Sequence, residues 1–173
     1  MGAATGLVSQ SDIQTVLEVG CGEGELAQPI LQATRADSYL GTDLSSRIVE
    51  EARSRNPGLT FEVQNAEQLP YGDKSFDLVV ACEVLEHVEN PEAVLRELDR
   101  LSAKWILVSV PREPLWRVLN MARGAYWSDL GNTPGHIQHW GKRSFIRLVS
   151  SHLNVIEVRS PIPWTMLLCQ PKS

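Results

Sequence analysis

Residues 16 to 24, Val16-Leu17-Glu18-Val19-Gly20-Cys21-Gly22-Glu23-Gly24, constrain the fold more than any other stretch of the chain. A β-branched apolar run stops at three glycines in alternate positions, and a helical pattern starts at Glu25-Leu26-Ala27. That order predicts a buried strand, a tight turn and a helix N-terminus. The backbone at Gly20 and Gly22 is bare enough for a ligand to approach closely. Many nucleotide-binding folds use such a turn, so the rest of the chain has to say which ligand is meant.

Taken in order, strands are expected at Thr15–Val19, Ser38–Thr42, Thr60–Val63, Phe76–Ala81 and Trp105–Val110. Helices fall between them, at about residues 25–33, 46–55 and 91–101. Glu23 and Glu25 are expected near the positive end of the first helix. Ser45 reads as an N-cap, Asn56-Pro57-Gly58 as a stop, and Asn90-Pro91 as a helix opening with proline in its first turn. Strands alternating with helices require a mostly parallel sheet covered by helices on both faces. After Pro111 the alternation stalls. A short helix is expected over 114–122, then an irregular stretch rich in Gly, Pro, Trp and His, then a helix over about 142–152. The last two strands, Val155–Arg159 and Trp164–Cys169, are separated only by Ser160-Pro161-Ile162-Pro163. That connection is too short for a helical crossover, so the pair should be antiparallel.

The chain has 173 residues and a net charge of −5, which argues against a nucleic-acid partner, whose footprint would be basic. The total hides an asymmetry. Residues 1–111 carry 8 Lys and Arg against 18 Asp and Glu, whereas residues 112–147 carry 6 against 2. Cys21, Cys82 and Cys169 are widely spaced, with no CxxC pair. This suits a reducing cytoplasm and leads to no expected disulfide framework and no expected metal site. No N-terminal stretch has the make-up of a signal peptide, and no apolar run approaches the about 20 residues of a membrane span. A cytoplasmic location without a membrane span is therefore expected.

In an open parallel sheet a ligand sits beyond the carboxyl ends of the strands, at the switch point beside the first strand. Gly20, Gly22 and Gly24 end strand one, Asp43 ends strand two, Asn65-Ala66-Glu67 follows strand three, and Cys82-Glu83 follows strand four. Asp43 lies about 20 residues past the glycines, where a carboxylate can accept both hydroxyls of a ribose. A dinucleotide would call for G-x-G-x-x-G, but the spacing here is G-x-G-x-G. Glu18, inside the strand, would repel a pyrophosphate and balance an ammonium group. A cationic amino-acid cofactor is favoured over a diphosphate.

These residues resemble the class I S-adenosylmethionine-dependent methyltransferases, in particular the small-molecule branch called type 11. The resemblance rests on Val16–Gly24, on Gly41-Thr42-Asp43-Leu44-Ser45 and on Asn65-Ala66-Glu67-Gln68-Leu69-Pro70. It continues through Phe76-Asp77-Leu78-Val79-Val80 and Glu83-Val84-Leu85-Glu86-His87-Val88. It implies an α/β fold, a Rossmann-like three-layer sandwich with a mostly parallel seven-stranded sheet and an antiparallel last strand. Residues 1–173 are expected to form one domain. Within it, 1–111 is the cofactor half, 112–140 the substrate and lid segment, and 141–173 the closing helix and antiparallel strand pair. The implied cofactor is S-adenosylmethionine, leaving as S-adenosylhomocysteine. The resemblance places Gly20, Cys21 and Gly22 under its methionine part, Glu18 near its amino group and Asp43 on its ribose. Leu44 packs on the adenine, with Asn65, Ala66 and Glu67 beside it, and Cys82 and Glu83 line the methionine end. Asn65 stands where the family often has Asp, and keeps an acceptor oxygen.

Simpler readings hold elsewhere. Glu86 and His87 read as a loop that caps and solvates the following helix, Cys21 as a packing residue, and Asp77 as a strand-start residue held by backbone bonds. Methyl transfer from a sulfonium needs an acceptor held in line and, where required, relieved of its proton. His136 and His139 are the candidate bases. The Thr133-Pro134-Gly135 turn should lift His136 clear of the core, whereas His139-Trp140 reads as an anchor for the next helix. The expected partner is a small-molecule acceptor, with an anionic group guided by Arg112, Arg117 or Arg123. A second subunit is an alternative source of the lid, so a homodimer is within expectation. The reading from another class is a cofactor-binding protein without catalysis, or a partner subunit of a methyltransferase complex.

Overall fold

A computed structural model describes residues 13–122 and 136–173. In chain order the elements are β1 (Thr15–Val19), α1 (Ala27–Thr34), β2 (Ser38–Asp43), α2 (Ser46–Arg55), β3 (Thr60–Val63) and β4 (Phe76–Cys82). They continue with α3 (Pro91–Leu101), β5 (Ser102–Pro111), α4 (Leu115–Ala122), α5 (Lys142–His152), β6 (Asn154–Arg159) and β7 (Trp164–Gln170). The seven strands form one sheet in the order β3-β2-β1-β4-β5-β7-β6. Only β7 runs against the rest, pairing antiparallel with both β5 and β6. The expected architecture, its strand count and its antiparallel last strand are all present.

The sheet is buried on both faces, which is why its central strands are apolar at nearly every position. Successive residues point to opposite sides. Val16, Leu78 and Val80 pack with Ala27 and Ile30 of α1 and with Val49 and Ala52 of α2. Leu17, Val19, Val79 and Ala81 pack on the opposite face with Val94, Leu95 and Leu98 of α3 and with Phe145 and Val149 of α5. The caps read from sequence are in place. Ser45 Oγ accepts from the Ile48 amide at 3.4 Å, and Asn90 Oδ1 accepts from the Ala93 amide at 3.0 Å, with Pro91 behind it. Asp77 accepts from the Gln14 and Thr15 amides and pairs with Lys104 at 2.9 Å, as a strand-start anchor should.

One boundary differs with consequence. The glycine turn continues through hydrogen bonds from Gly24 N to Cys21 O and from Ala27 N to Gly24 O, so α1 starts only at Ala27. Glu23 and Glu25 therefore do not sit in its first turn. They face Arg55 of α2 instead, at 2.6 and 4.0 Å.

Candidate active site

Because β2 lies on one side of β1 and β4 on the other, the chain reverses direction across the sheet at β1 and opens a crevice there. Backbone bonds fix its floor: Cys21 N donates to Thr42 O at 2.8 Å, and Glu83 N to Ser109 O at 3.0 Å. Gly20 and Gly22 adopt φ of 68° and 53°, in the left-handed region. They serve different ends. A Cβ at Gly20 would lie 2.4 Å from Val84 Cγ2, so the missing side chain there lets β1 pack on the β4 loop. A Cβ at Gly22 would meet nothing within 4 Å, so its bare backbone faces open space.

Two cavities flank this turn, and Gly20, Gly22 and Glu83 are walls of both. The larger, of about 380 Å³, has Asp43, Leu44, Gln64, Asn65 and Ala66 among its lining residues, together with Glu83, Val84, His87 and Val88. Asp43 Oδ2 accepts from the Gly22 amide at 3.1 Å and Oδ1 from the Ser45 amide at 3.0 Å, so the carboxylate ties the turn to the start of α2. Leu44 is 73% exposed and lines this cavity, an apolar surface available to a flat ring. Asn65 Oδ1 already accepts from the Glu67 amide at 3.0 Å and keeps one lone pair for a ligand. Glu67 lines neither cavity, and its carboxylate accepts from the Asn90 amide at 3.4 Å.

The smaller cavity, of about 260 Å³, is lined by four carboxylates, Glu18, Glu23, Glu25 and Glu83, of which Glu23 and Glu25 pair with Arg55. Glu18 is 2% exposed, and the Tyr39 hydroxyl donates to its Oε2. Burial pushes the Glu18 carboxyl up to about 8, against the Tyr39 bond, and burial also raises Glu83. An ammonium or sulfonium group placed here would draw both carboxyls back towards their ordinary range. Cys21 and Cys82 line the same cavity, with burial pushing both thiols up to about 12. They are neutral walls, and Cys21 is the packing residue expected.

Beyond β4, residues Leu85–His87 form one 3₁₀ turn. Glu86 overturns its sequence reading: it is 1% exposed, and among the described residues neither carboxylate oxygen has a hydrogen-bond partner. Asn90 caps α3 in its place. The Glu86 backbone carbonyl accepts from the Ile137 amide at 2.9 Å and the Gln138 amide at 3.1 Å, which draws the chain after residue 135 across this turn. His136 is thereby buried, at 8% exposure, where the sequence pointed to a residue clear of the core. Its ring meets His87 edge-on at 4.8 Å and stacks on Trp116 at 6.3 Å. Burial, then His87 and His139, lower its pKa to about 4, so the imidazole is neutral at neutral pH. His139 is exposed and lines neither cavity. Trp140 anchors α5 as expected, its carbonyl accepting from Glu113 N at 3.0 Å and its ring packing on Phe145. Arg123, Tyr126 and Trp127 lie outside the described residues, as does the Thr133-Pro134-Gly135 turn.

Comparison with known proteins decides the family. Residues 17–104 match the family described as "Methyltransferase domain". The chain belongs to this family, with the class I S-adenosylmethionine-dependent fold. A mitochondrial ubiquinone biosynthesis O-methyltransferase of Candida albicans is 38% identical over 104 residues, 55% of this chain and 32% of the relative. A fatty-acid O-methyltransferase of Mycolicibacterium smegmatis is 35% identical over 97 residues, 54% of this chain and 35% of the relative. The chain spans about a third of the length of these relatives. In fold it is similar to a chain of the Haloferax volcanii complex between the Trm112 methyltransferase activator and a methyltransferase. There the TM-score is 0.79 at 16% identity, over 99% of this chain and 88% of that one. Magnesium protoporphyrin IX methyltransferase of Synechocystis, solved with bound S-adenosylhomocysteine, gives a TM-score of 0.68 at 21% identity, over 92% of this chain and 74% of that one. No helix among the described residues is long and apolar enough to cross a membrane.

Proposed function

We propose that this protein transfers a methyl group from S-adenosylmethionine to a small-molecule acceptor through an acceptor oxygen. The observation that carries the reading is the smaller cavity, lined by the buried carboxyls of Glu18 and Glu83, for which no ion pair is seen among the described residues, and joined by a bare glycine turn to a cavity with an acid at its β2 end. That donor set fits a ligand with a cationic amino-acid end and a ribose. When bound, the cofactor supplies an electrophilic methyl group on a sulfonium. Glu18 and Glu83 balance its positive end, Asp43 accepts from the ribose hydroxyls, and Leu44, Asn65 and Ala66 receive the adenine. Val84 and Val88 give the larger cavity an apolar side that excludes water. His136, neutral and packed on His87, which lines the larger cavity, is the first candidate base, with exposed His139 as the second.

The names of the relatives support an oxygen acceptor, and the excess of basic residues in 112–147 supports one that carries a carboxylate or phosphate. A panel of hydroxylated acceptors, with and without an acidic group, incubated with methyl-labelled cofactor tests both points. Label should appear in product, more of it in the acidic acceptors, and Arg112→Ala, Arg117→Ala or Arg123→Ala should raise KM. Cofactor binding without product from any acceptor would favour a partner-subunit role, which the likeness to a chain of the Trm112 complex supports.

A further inference from the structure

Two walls of the smaller cavity, Glu23 and Glu25, are served by a cation that is not itself one of its lining residues. Arg55, in the last turn of α2, meets Glu23 at 2.6 Å and Glu25 at 4.0 Å, and also holds Glu51 at 2.6 Å. One guanidinium therefore answers three carboxylates, two of which face the cavity. We propose that Arg55 is a specificity-determining residue. By offsetting part of the charge of Glu23 and Glu25, it sets how far the site favours the sulfonium donor over its uncharged thioether product.

On the methyl-transfer reading, which this role presupposes, donor and product share the ammonium, the carboxylate, the ribose and the adenine. The protein can tell them apart only by one methyl group and by the charge on sulfur. A single methyl in a pocket is a weak handle, whereas charge acts over a distance. The carboxylates that line the smaller cavity favour the cation, and each unit of positive charge placed beside them reduces that preference. Too strong a preference weakens the hold on the product, and too weak a preference lets the product compete with the donor.

The backbone carries Arg55 to its place from both sides. Asn56, the next residue, is 7% exposed and donates from Nδ2 to Gly24 O and to Ala52 O, each at 3.2 Å. Gly24 lies between the two acids with φ of 76°, and a Cβ there would come within 2.5 Å of that Nδ2. Glycine thus lets the turn and the end of α2 approach this closely. At the start of α2, Asp43 ties the Gly22 amide to the Ser45 amide. Both ends of the helix grip the glycine turn without help from Arg55. Its side chain is 46% exposed, and pairs of that kind add little to stability. Removing it should therefore change the charge at the cavity more than the fold.

Calorimetric titration of the full chain with S-adenosylmethionine and with S-adenosylhomocysteine gives two dissociation constants. Their ratio isolates the charge on sulfur, because a loosened turn weakens both ligands alike. One unit charge about 10 Å from a cation near a protein surface changes its binding by about 3–10-fold at low salt. Arg55→Gln should raise the preference for S-adenosylmethionine by about that factor, and Glu23→Gln should lower it to a similar extent. The double variant keeps the net charge of the unmodified chain and should return the ratio close to its starting value. Arg55→Lys, which keeps the charge, should leave the ratio unchanged, and salt at about 1 M should shrink all of these differences. If Arg55→Gln and Glu23→Gln each shift the two affinities by one common factor, Arg55 is only a brace for the turn, while the cofactor reading stands. If the unmodified chain binds neither ligand, the cofactor reading itself fails.

Discussion

Two buried acids at the ends of neighbouring strands show how the same problem is met in two ways. Glu18 on β1 and Glu86 just beyond β4 are 2% and 1% exposed, and burial pushes both carboxyls up to about 8. Glu18 has a built-in donor, the Tyr39 hydroxyl, and opens on a cavity walled by other acids. Glu86 has no donor among the described residues and two imidazoles beside it. The first is suited to a ligand that arrives with its own positive charge. The second is closed over by the chain that follows residue 135, whose amides hold the Glu86 carbonyl. The difference lies in the neighbours, since depth and charge are the same.

The largest expected effect separates the two acids by ligand. Glu18→Ala should weaken S-adenosylmethionine binding on the order of 100-fold, the cost of leaving an ammonium without its counter-charge. Glu86→Ala, at a residue that lines neither cavity, should leave that binding largely unchanged. Equal losses of cofactor binding in the two variants would erase the distinction. Next, Gly20→Ala should destabilise the fold by about 1–3 kcal/mol, from a strained φ and a clash with Val84. Val84→Ala in the same chain should recover part of that loss, and thermal melts of the unmodified chain, the two single variants and the double measure the coupling.

Smaller still, Tyr39→Phe should cost roughly 1–2 kcal/mol through the lost bond to Glu18, whereas no hydroxyl among the described residues supports Glu86. A pH series sharpens the comparison further. Glu18 has its folded pKa raised to about 8 from an ordinary carboxyl value of 4.5. Its contribution to stability is therefore full below pH 4.5 and lost as pH rises towards 8, where the buried carboxyl must ionise. Subtracting the melting curve of Glu18→Gln from that of the unmodified protein should leave a difference that falls over that window. A flat difference would mean that Glu18 is not desolvated.

The front of the chain was legible because strand ends fix where residues go. The unbroken apolar runs of β1 and β4 announced a sheet buried on both faces, and the distance from Gly22 to Asp43 placed an acid on the glycine turn. α1 starts two residues later than the sequence suggests, because the turn from Gly24 to Ala27 looks helical in sequence. The burial of Glu86 left no local trace. An acid shortly before Asn90-Pro91 has the pattern of a solvated cap, and only the amides of Ile137 and Gln138, some fifty residues later, fold it under. The available signal was the neighbouring pair Glu86-His87 and a later histidine, and nothing in their spacing said that they meet. His136 is buried rather than lifted clear of the core for the same reason.

The central claim, that the crevice at the ends of β1, β2 and β4 holds a cationic adenosyl amino acid, is tested most directly by calorimetric titration of the full chain. S-adenosylmethionine and S-adenosylhomocysteine, which share the amino group and ribose, should both bind with one site each, NAD should not, and Asp43→Ala should lose both. Binding of NAD with affinity equal to theirs, or an Asp43→Ala chain that binds them as tightly as the unmodified one, would contradict it.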